Sequence, residues 1–563
     1  KLNGRIIMRL IIIGSVAAGT SAACKARRND INSEIVIYER DKDISYSVCG
    51  LPYFIGEDYI TRENIVPRDP KWFKERFDID IKIQHEVIEI NPDKKEITVK
   101  NLLNNEIFND NYDKLVLSTG AKSIKPPIDG IESSNIFYLR NVENADKIKS
   151  FINTNKPKKA VIIGGGFIGL ELLENFSLLN IDTTIIEMNN QLMAGIDNDV
   201  TIYLEEYLRK KSINILLGEK VEKIIDNGKI VKTSSGKDIE TDFIIVSAGI
   251  KPNTELAKNI GITLGKSGAI SVNNRMETSI KDIYAVGDCA ESFSLITNKS
   301  IYAPLGSTAN KTGRIAGDII TGGDLNFRGI LGTGIVKVFD MSIGKTGLTE
   351  KEAIENGYEI EVIHNLKENQ SIYLKESREI LIKAVADKNS GRLLGVQIVG
   401  EKGVDKKIDV FVTAITFGAK VSDLFHLDLC YAPPFSTTKD AVMYTGMILD
   451  NAINRNRKIL TVKELVLNTD KYLVIDVRSE KDYEKGHIDN AVNIPLKKLK
   501  EKSVETDKNR NIVVHCNKGV TGNAAQNLLI NLGFKNVYNL SGGYKNYKMT
   551  KNLFIKQEAK NGY

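Results

Sequence analysis

Cys49 lies ten residues after Glu39, within Ser45-Tyr46-Ser47-Val48-Cys49-Gly50-Leu51-Pro52-Tyr53, and the next thiol downstream is Cys289. A dithiol redox centre would show two cysteines a few residues apart on one helix. A lone redox cysteine must find its second sulfur elsewhere, on a substrate or as an oxidised form of its own sulfur. The competing reading is a structural thiol, since free cysteine is among the most buried residue types. Cys516 is a second candidate. It closes the apolar run Ile512-Val513-Val514-His515 and opens the loop Cys516-Asn517-Lys518-Gly519-Val520-Thr521-Gly522 ahead of a helix. Such a loop points successive backbone N–H groups at the sulfur and stabilises a thiolate or a persulfide anion. Lys518 adds positive charge there. The competing reading is a non-catalytic loop.

Both thiols need elements to hold them, and the chain carries one such element twice. Residues 8–40 run as an apolar strand (10–13), a glycine turn from Gly14 to Gly19, an alanine-rich helix and a strand (34–38) ending at Glu39. Residues 160–187 follow the same plan: strand 160–163, turn Gly164-Gly165-Gly166-Phe167-Ile168-Gly169, helix, strand 183–186, then Glu187. Each is a βαβ unit whose helix N-terminus can receive a pyrophosphate. The second matches G-x-G-x-x-G in full, with Glu187 placed 23 positions beyond Gly164 to bind ribose hydroxyls. Glu187 repels a 2′-phosphate and Met188 to Gln191 supply no arginine for one, which selects NADH over NADPH. In the first unit Gly14 and Gly19 fit, while Val16 replaces the middle glycine and restricts the approach to a pyrophosphate. Later stretches extend the plan. Leu115-Val116-Leu117-Ser118-Thr119-Gly120 is a strand ending in a small-residue turn, and Ile244-Ile245-Val246-Ser247-Ala248-Gly249, followed by Pro252-Asn253, repeats it. Ile283-Tyr284-Ala285-Val286-Gly287-Asp288 ends a strand with an aspartate placed for a polar ribityl chain.

This order of motifs resembles the two-dinucleotide-binding-domain flavoproteins, the pyridine nucleotide-disulfide oxidoreductases. The resemblance implies an α/β fold class with two Rossmann-like domains, for FAD and NAD(P), and an α+β dimerisation domain. By position it assigns Gly14, Gly19, Glu39, Ser45, Thr119, Gly120 and Asp288 to FAD, and Gly164, Gly166, Gly169, Glu187 and Gly249 to the nicotinamide nucleotide. Residues 45–53 resemble the single-cysteine branch: coenzyme A-disulfide reductases, water-forming NADH oxidases and NADH peroxidases. There the cysteine lies beside the flavin and cycles between thiolate and a mixed disulfide, a persulfide or a sulfenic acid. A thiolate near an electron-poor flavin and a helix N-terminus is expected to have a lowered pKa. Cys430-Tyr431-Ala432-Pro433-Pro434-Phe435-Ser436 resembles a coenzyme A-disulfide reductase segment whose tyrosine reaches the other subunit's active site. That implies a proton-donor role towards the leaving thiol for Tyr431, with Tyr373 as a second active-site tyrosine. The family commonly carries Asn before the cysteine, where this chain has Val48. Cys430 reads as packing.

Beyond the polar linker 451–458, Leu473-Val474-Ile475-Asp476-Val477-Arg478, Glu484-Lys485-Gly486-His487-Ile488, Ala491-Val492-Asn493-Ile494-Pro495, residues 512–516 and Leu540-Ser541-Gly542-Gly543-Tyr544 resemble a rhodanese, an α/β domain. Rhodaneses often place an arginine at the sixth loop position; Thr521 stands there and argues against thiosulfate. The expected domains are 8–150 (FAD, first part), 151–280 (NAD(H)), 281–326 (FAD, second part), 327–450 (dimerisation), 451–458 (linker) and 459–550 (rhodanese-like). The whole resembles coenzyme A-disulfide reductase–rhodanese fusions, including NADH-dependent persulfide and polysulfide reductases. It implies FAD-dependent, NADH-driven reduction of coenzyme A disulfide, coenzyme A persulfide or polysulfide through Cys49. Cys516 then carries sulfane sulfur, and a homodimer shares active sites across its interface. Arg28, Arg62 and Lys71 are the basic residues expected to meet coenzyme A phosphates. The alternatives are an NADH oxidase or peroxidase using a Cys49 sulfenic acid, and a non-enzymatic, redox-responsive persulfide carrier.

Bulk properties limit the remaining classes. A length of 563 residues allows about three or four domains, and 42% hydrophobic content supplies their cores. The formal charge of +6 is spread over 78 basic and 72 acidic residues without a basic block, which argues against nucleic acid while favouring an anionic substrate. Five cysteines without a C-x-x-C pair argue against a disulfide framework and a zinc site, and point to a reducing cytoplasm. No apolar run approaches the about 20 residues that span a bilayer. Residues 10–13 are followed by glycine and read as a strand, not a signal peptide. Residues 1–7 precede Met8, a candidate natural start.

Overall fold

β-branched runs form the central strands, where stiff side chains pack well on a pleated surface. Residues 7–504 and 506–561 are described by the computed structural model, in which the chain divides into two units: residues up to 190 with 214–330, and 191–213 with 331 onwards.

In the first unit, one parallel sheet has the strand order Ile283–Ala285, Lys114–Leu117, Arg9–Ile13, Glu34–Tyr38, Asp80–Lys82. Ile11 sits in register with Val36 on one side and Leu115 on the other, so Leu10 to Ile12 have no exposed surface. The strand starts one residue before the expected 10–13, because Arg9 already pairs with Glu34, whose N–H donates to the Met8 carbonyl at 2.9 Å. Helix α1 (Ala18–Asn29) is alanine-rich for a packing reason. A Cβ on Gly313 or Gly317 of the helix Gly306–Ile320 would fall 2.2 or 2.3 Å from the Ala18 or Ala22 carbonyl oxygen. The two helices therefore meet backbone to backbone, which larger side chains forbid. The short helix α2 (Leu51–Gly56) follows the single 3-10 turn Val48–Gly50, and helix α3 (Val142–Asn155) leads into strand Lys159–Ile163 of the second parallel sheet. That sheet has the order Asn214–Leu217, Asp182–Glu187, Lys159–Ile163, Phe243–Val246, Ile136–Phe137, and helix α4 (Phe167–Leu178) follows its glycine turn.

The second unit holds an antiparallel sheet of order Gly334–Val338, Met341–Gly347, Leu393–Gly400, Glu379–Asp387, Ile360–Glu368. Helix α5 (Asn198–Lys210) packs with this unit through charge. Lys383, fully buried midway along strand Glu379–Asp387, reaches Asp199 at 2.9 Å, Glu350 at 2.7 Å and Asp197 at 3.1 Å. A buried ammonium persists only when paired in this way. The C-terminal part is a parallel sheet of order Ile459–Leu460, Asn536–Leu540, Asn511–His515, Leu473–Asp476, Val492–Asn493, with helix α6 (Val520–Asn531) after the Cys516 loop. Parallel nucleotide-binding sheets, an antiparallel α+β domain and a C-terminal α/β domain are the architecture expected above. Among the described residues no helix is long and apolar enough to cross a membrane.

Candidate active site

The two glycine turns are built alike down to their hydrogen bonds. Gly14 (φ +102°) and Gly164 (φ +112°) occupy conformations that disfavour side chains, and a Cβ on either would lie 2.3 Å from a carbonyl oxygen, of Ser118 or Ser247. Gly19 and Gly169 let each helix start sit on the first glycine: an added Cβ would meet the Gly14 or Gly164 oxygen at 1.9 or 2.2 Å. Gly166 differs, with open space where its side chain would be, which is the room a pyrophosphate needs. Val16 takes the equivalent place in the first turn and stands on the rim of a cleft described below. Each strand-end carboxylate folds back over its turn. Glu39 accepts from Ser15 N and Oγ at 2.8 and 2.9 Å, and Glu187 accepts from Gly165 N at 2.8 Å. Thr119 donates its hydroxyl to the Asn253 carbonyl at 2.6 Å, tying the strand-end turns together, with Gly120 and Gly249 at φ +67° and +101°. The returning strand ends at Ala285, short of the expected Asp288, which lies in the 3-10 turn Gly287–Cys289 and accepts from Arg140 at 2.7 Å. These cradles, with a carboxylate poised over each, fit a dinucleotide at both turns.

Cys49 sits exposed in the turn Val48–Gly50. The lowered pKa expected for it is not what its neighbours produce. Desolvation, then the Glu171 and Asp288 carboxylates, push the thiol up, and Arg140 opposes them only in part. Helix α2 offers little help, because it has six residues and Pro52 removes one of its first N–H groups. Ser45, four residues earlier, is held in the left-handed region at φ 48°, where a non-glycine side chain is strained. Its backbone N–H donates to the Ser15 carbonyl at 3.0 Å, which locks this segment onto the first glycine turn.

Beside that segment lies a cleft of about 470 Å³, lined by Val16, Thr20, Ser45, Trp72, Phe77 and three arginines, Arg28, Arg68 and Arg314. Among the described residues no carboxylate lines it. Arg68 stacks over Trp72 at 5.0 Å and reaches Ser45 Oγ at 3.3 Å, while Arg28 lies over Phe77 at 5.3 Å. Arginines with aromatic faces suit a phosphorylated ligand carrying a flat ring. Of the basic residues expected from sequence, only Arg28 is here. Arg62 bonds Asp43 at 2.7 Å and Asp146 at 3.3 Å, and Lys71 pairs with Glu75 on the surface. Sequence reasoning missed Arg68 and Arg314. Arg68 precedes a capped helix start, Asp69-Pro70, which is the one local signal it had.

In the second unit Tyr373 and Tyr431 are exposed, and the Ser371 N–H donates to the Pro433 carbonyl at 3.2 Å, so the two tyrosine-bearing segments are joined. Cys430, expected to be packed, is exposed as well. Cys516 is buried and accepts the Gly519 N–H at 3.2 Å. Gly519 sits at φ +110° and turns the loop into α6. Tyr544 N donates to the Cys516 carbonyl at 2.8 Å, and below the loop Arg478 is clamped by Asp476 and stacked over Tyr544 at 4.1 Å. Lys518 does not serve the sulfur as expected. It pairs with Glu368 at 2.6 Å and with Glu379, the last and first residues of adjacent strands of the antiparallel sheet. Thr521 is exposed.

Residues 8–301 match the family described as Pyridine nucleotide-disulphide oxidoreductase, 333–442 match its dimerisation domain, and 461–550 match the Rhodanese-like domain. The chain is therefore an oxidoreductase of the pyridine nucleotide-disulphide oxidoreductase family, with FAD and a nicotinamide dinucleotide as cofactors and a rhodanese-like domain near its C-terminal end. Among similar proteins, the "NAD(P)H sulfur oxidoreductase (CoA-dependent)" of Pyrococcus furiosus is 35% identical over 443 residues, 78% of this chain and 99% of the relative. The structure of reduced Bacillus anthracis CoADR-RHD superposes with a TM-score of 0.95 at 37% identity, covering 98% of this chain and 99% of that one. An NAD-dependent persulfide reductase from A. fulgidus gives a TM-score of 0.88 at 36% identity, covering 96% and 100%.

Proposed function

We propose that the protein reduces a disulfide or persulfide at the expense of NADH, through Cys49, with coenzyme A as the carrier of the reacting sulfur. The observation that carries this reading is the single thiol in an exposed turn whose strained flank, Ser45, lines a carboxylate-free arginine cleft. An anionic, ring-bearing carrier fits that cleft, and coenzyme A disulfide, coenzyme A persulfide and polysulfide held as its persulfide share this chemistry. The names of the Pyrococcus, Bacillus and A. fulgidus proteins point the same way.

FAD, when bound, relays two electrons from NADH to sulfur. The chain's residues do the rest. Glu39 and Glu187 stand over the two glycine turns and orient the two nucleotides through their riboses. Cys49 attacks the outer sulfur of the substrate, forming a Cys49 disulfide or persulfide and expelling a thiolate. Tyr431, from the other subunit of a homodimer, donates a proton to the thiolate released when that Cys49 bond is reduced, with Tyr373 beside it. Cys516 carries sulfane sulfur on its loop, stabilised by the Gly519 N–H. Glu187, without a nearby arginine in residues 188–191, favours NADH.

Steady-state NADH oxidation under anaerobic conditions tests this reading. Turnover with coenzyme A persulfide or disulfide, lost in Cys49→Ser and kept in Cys516→Ser, is expected. NADH consumption only with O₂ or peroxide, and none with sulfur substrates, overturns it in favour of a sulfenic-acid oxidase or peroxidase.

A further inference from the structure

We propose that Asn539 is a positioning residue of the Cys516 sulfur site: its side-chain amide fixes Gly519 so that the Gly519 N–H stays on the sulfur and favours the thiolate. This rests on the sulfur-carrying role given to Cys516 above and deepens it.

The Cys516 sulfur accepts the Gly519 N–H at 3.2 Å. The charged groups around the loop are committed elsewhere. Lys518 is held by Glu368 and Glu379, and Arg478 by Asp476, with one guanidinium N–H reaching the Asn517 side chain at 3.4 Å. His515 Nδ1 lies 3.5 Å from the Cys516 carbonyl, and burial lowers that imidazole to about 4, so it is neutral near pH 7. Stabilising an anionic sulfur here therefore falls to backbone N–H groups, Gly519 first.

A glycine N–H is hard to aim. Gly519 sits at φ +110° and ψ −21°, and without a Cβ its own backbone does little to hold the N–H in one direction. The other end of the residue is held instead. The Gly519 carbonyl accepts the Asn523 N–H of α6 at 2.8 Å and the Asn539 side-chain amide at 3.0 Å, which fills both of its lone pairs. With the carbonyl pinned, the N–H direction is pinned too.

Asn539 is itself well anchored. It lies in strand Asn536–Leu540 between Ile459 and Val514, its backbone N–H donates to the Lys458 carbonyl at 3.0 Å, and its side chain is buried. The same stretch of chain seats the start of the loop. The Tyr544 N–H donates to the Cys516 carbonyl at 2.8 Å, and the Lys545 N–H donates to the Asn517 carbonyl at 3.1 Å. Residues 539–545 thus hold both ends of the segment 516–519. Two costs mark the Asn539 amide as more than packing. Among the described residues its Oδ1 has no hydrogen-bond partner, a penalty that a leucine of similar size would not carry. Gly522 must also stay without a side chain, since a Cβ there would fall 2.3 Å from that Oδ1.

The step served is sulfur transfer without net oxidation. The Cys516 thiolate attacks the outer sulfur of coenzyme A persulfide, R–S–SH. A new S–S bond forms as the old one breaks, the electron pair leaves with R–S⁻, and Cys516–S–SH remains. A fixed N–H on Sγ keeps the thiolate available for that attack.

The test uses the intact, reduced holoenzyme and measures the alkylation rate of Cys516 by iodoacetamide against pH. It is read by mass spectrometry on the Cys516 peptide, with the Cys49 peptide of the same sample as reference. Asn539→Leu should lower the Cys516 rate about threefold to tenfold near neutrality, the upper figure being loss of one hydrogen bond to a charged group. The variant and wild-type profiles should converge at high pH, where every thiol is ionised. Gly522→Ala, which drives the amide off Gly519 without removing it, should shift the profile the same way. A merely structural amide predicts the opposite sign: a loosened domain exposes the buried Cys516 and speeds its alkylation at every pH. That result in both variants, or profiles that superimpose on wild type, overturns the proposal. The alkylation readout involves no sulfur substrate, so failure of the reductase reading in the NADH assay and failure of the positioning role are separate results.

Discussion

Desolvation and the Glu171 and Asp288 carboxylates hold the Cys49 thiol up, and Arg140 opposes them only in part, where a nucleophilic thiol would ordinarily be given a dominant cation. Three arginines are gathered next door, in the cleft proposed for the carrier of the substrate. This division of labour makes a residue-scale prediction. Arg68→Ala should raise KM for coenzyme A persulfide about tenfold, worth about 1.4 kcal/mol for a charge-assisted contact, with kcat little changed. A small persulfide lacking the nucleotide should show no such rise in steady-state kinetics. Equal losses on both substrates would mean that Arg68 supports the Cys49 segment through Ser45 and not the carrier. The cysteine itself was legible in the sequence, from its isolation and its flanking motif. Its electrostatics were not, because Glu171 and Asp288 lie far along the chain and reach the sulfur only after folding.

At the scale of elements, legibility follows how local the physics is. The glycine turns could be read to within a residue because Gly19 and Gly169 answer a steric demand inside their own βαβ units, against the Gly14 and Gly164 carbonyls, while Gly14 and Gly164 are also pressed from outside by Ser118 and Ser247. Arg314 of the helix Gly306–Ile320 joins Arg28 of α1 only because small residues let those helices touch, a contact that spacing along the chain does not encode. The Cys516 loop shows the same limit. Lys518 looked like a partner for the sulfur, but its carboxylates, Glu368 and Glu379, flank a turn 150 and 139 residues back along the chain. With Lys545 also on Glu379 at 3.0 Å, the pairing anchors the rhodanese-like domain to the antiparallel sheet beneath the segment bearing Tyr373. Lys518→Ala should cost about 1–2 kcal/mol, a value between exposed and fully buried pairs, seen as earlier thermal or denaturant unfolding of that domain. Unchanged unfolding across low and moderate salt would show the contact to be energetically silent.

On the scale of the whole molecule, one chain joins a pyridine nucleotide-disulphide oxidoreductase to a rhodanese-like domain. The central claim is that the electrons of NADH end on a sulfur bonded to Cys49. Peptide mass spectrometry of the intact enzyme measures that bond directly. The enzyme is treated anaerobically with one equivalent of coenzyme A persulfide or disulfide, then quenched before and after NADH. The account predicts that Cys49 carries coenzyme A after the disulfide, or one added sulfur after the persulfide, and returns to the free thiol after NADH, with a share of the added sulfur on Cys516 in the persulfide arm alone. A Cys49 that stays unmodified or gains only oxygen, while NADH is still consumed, would contradict it.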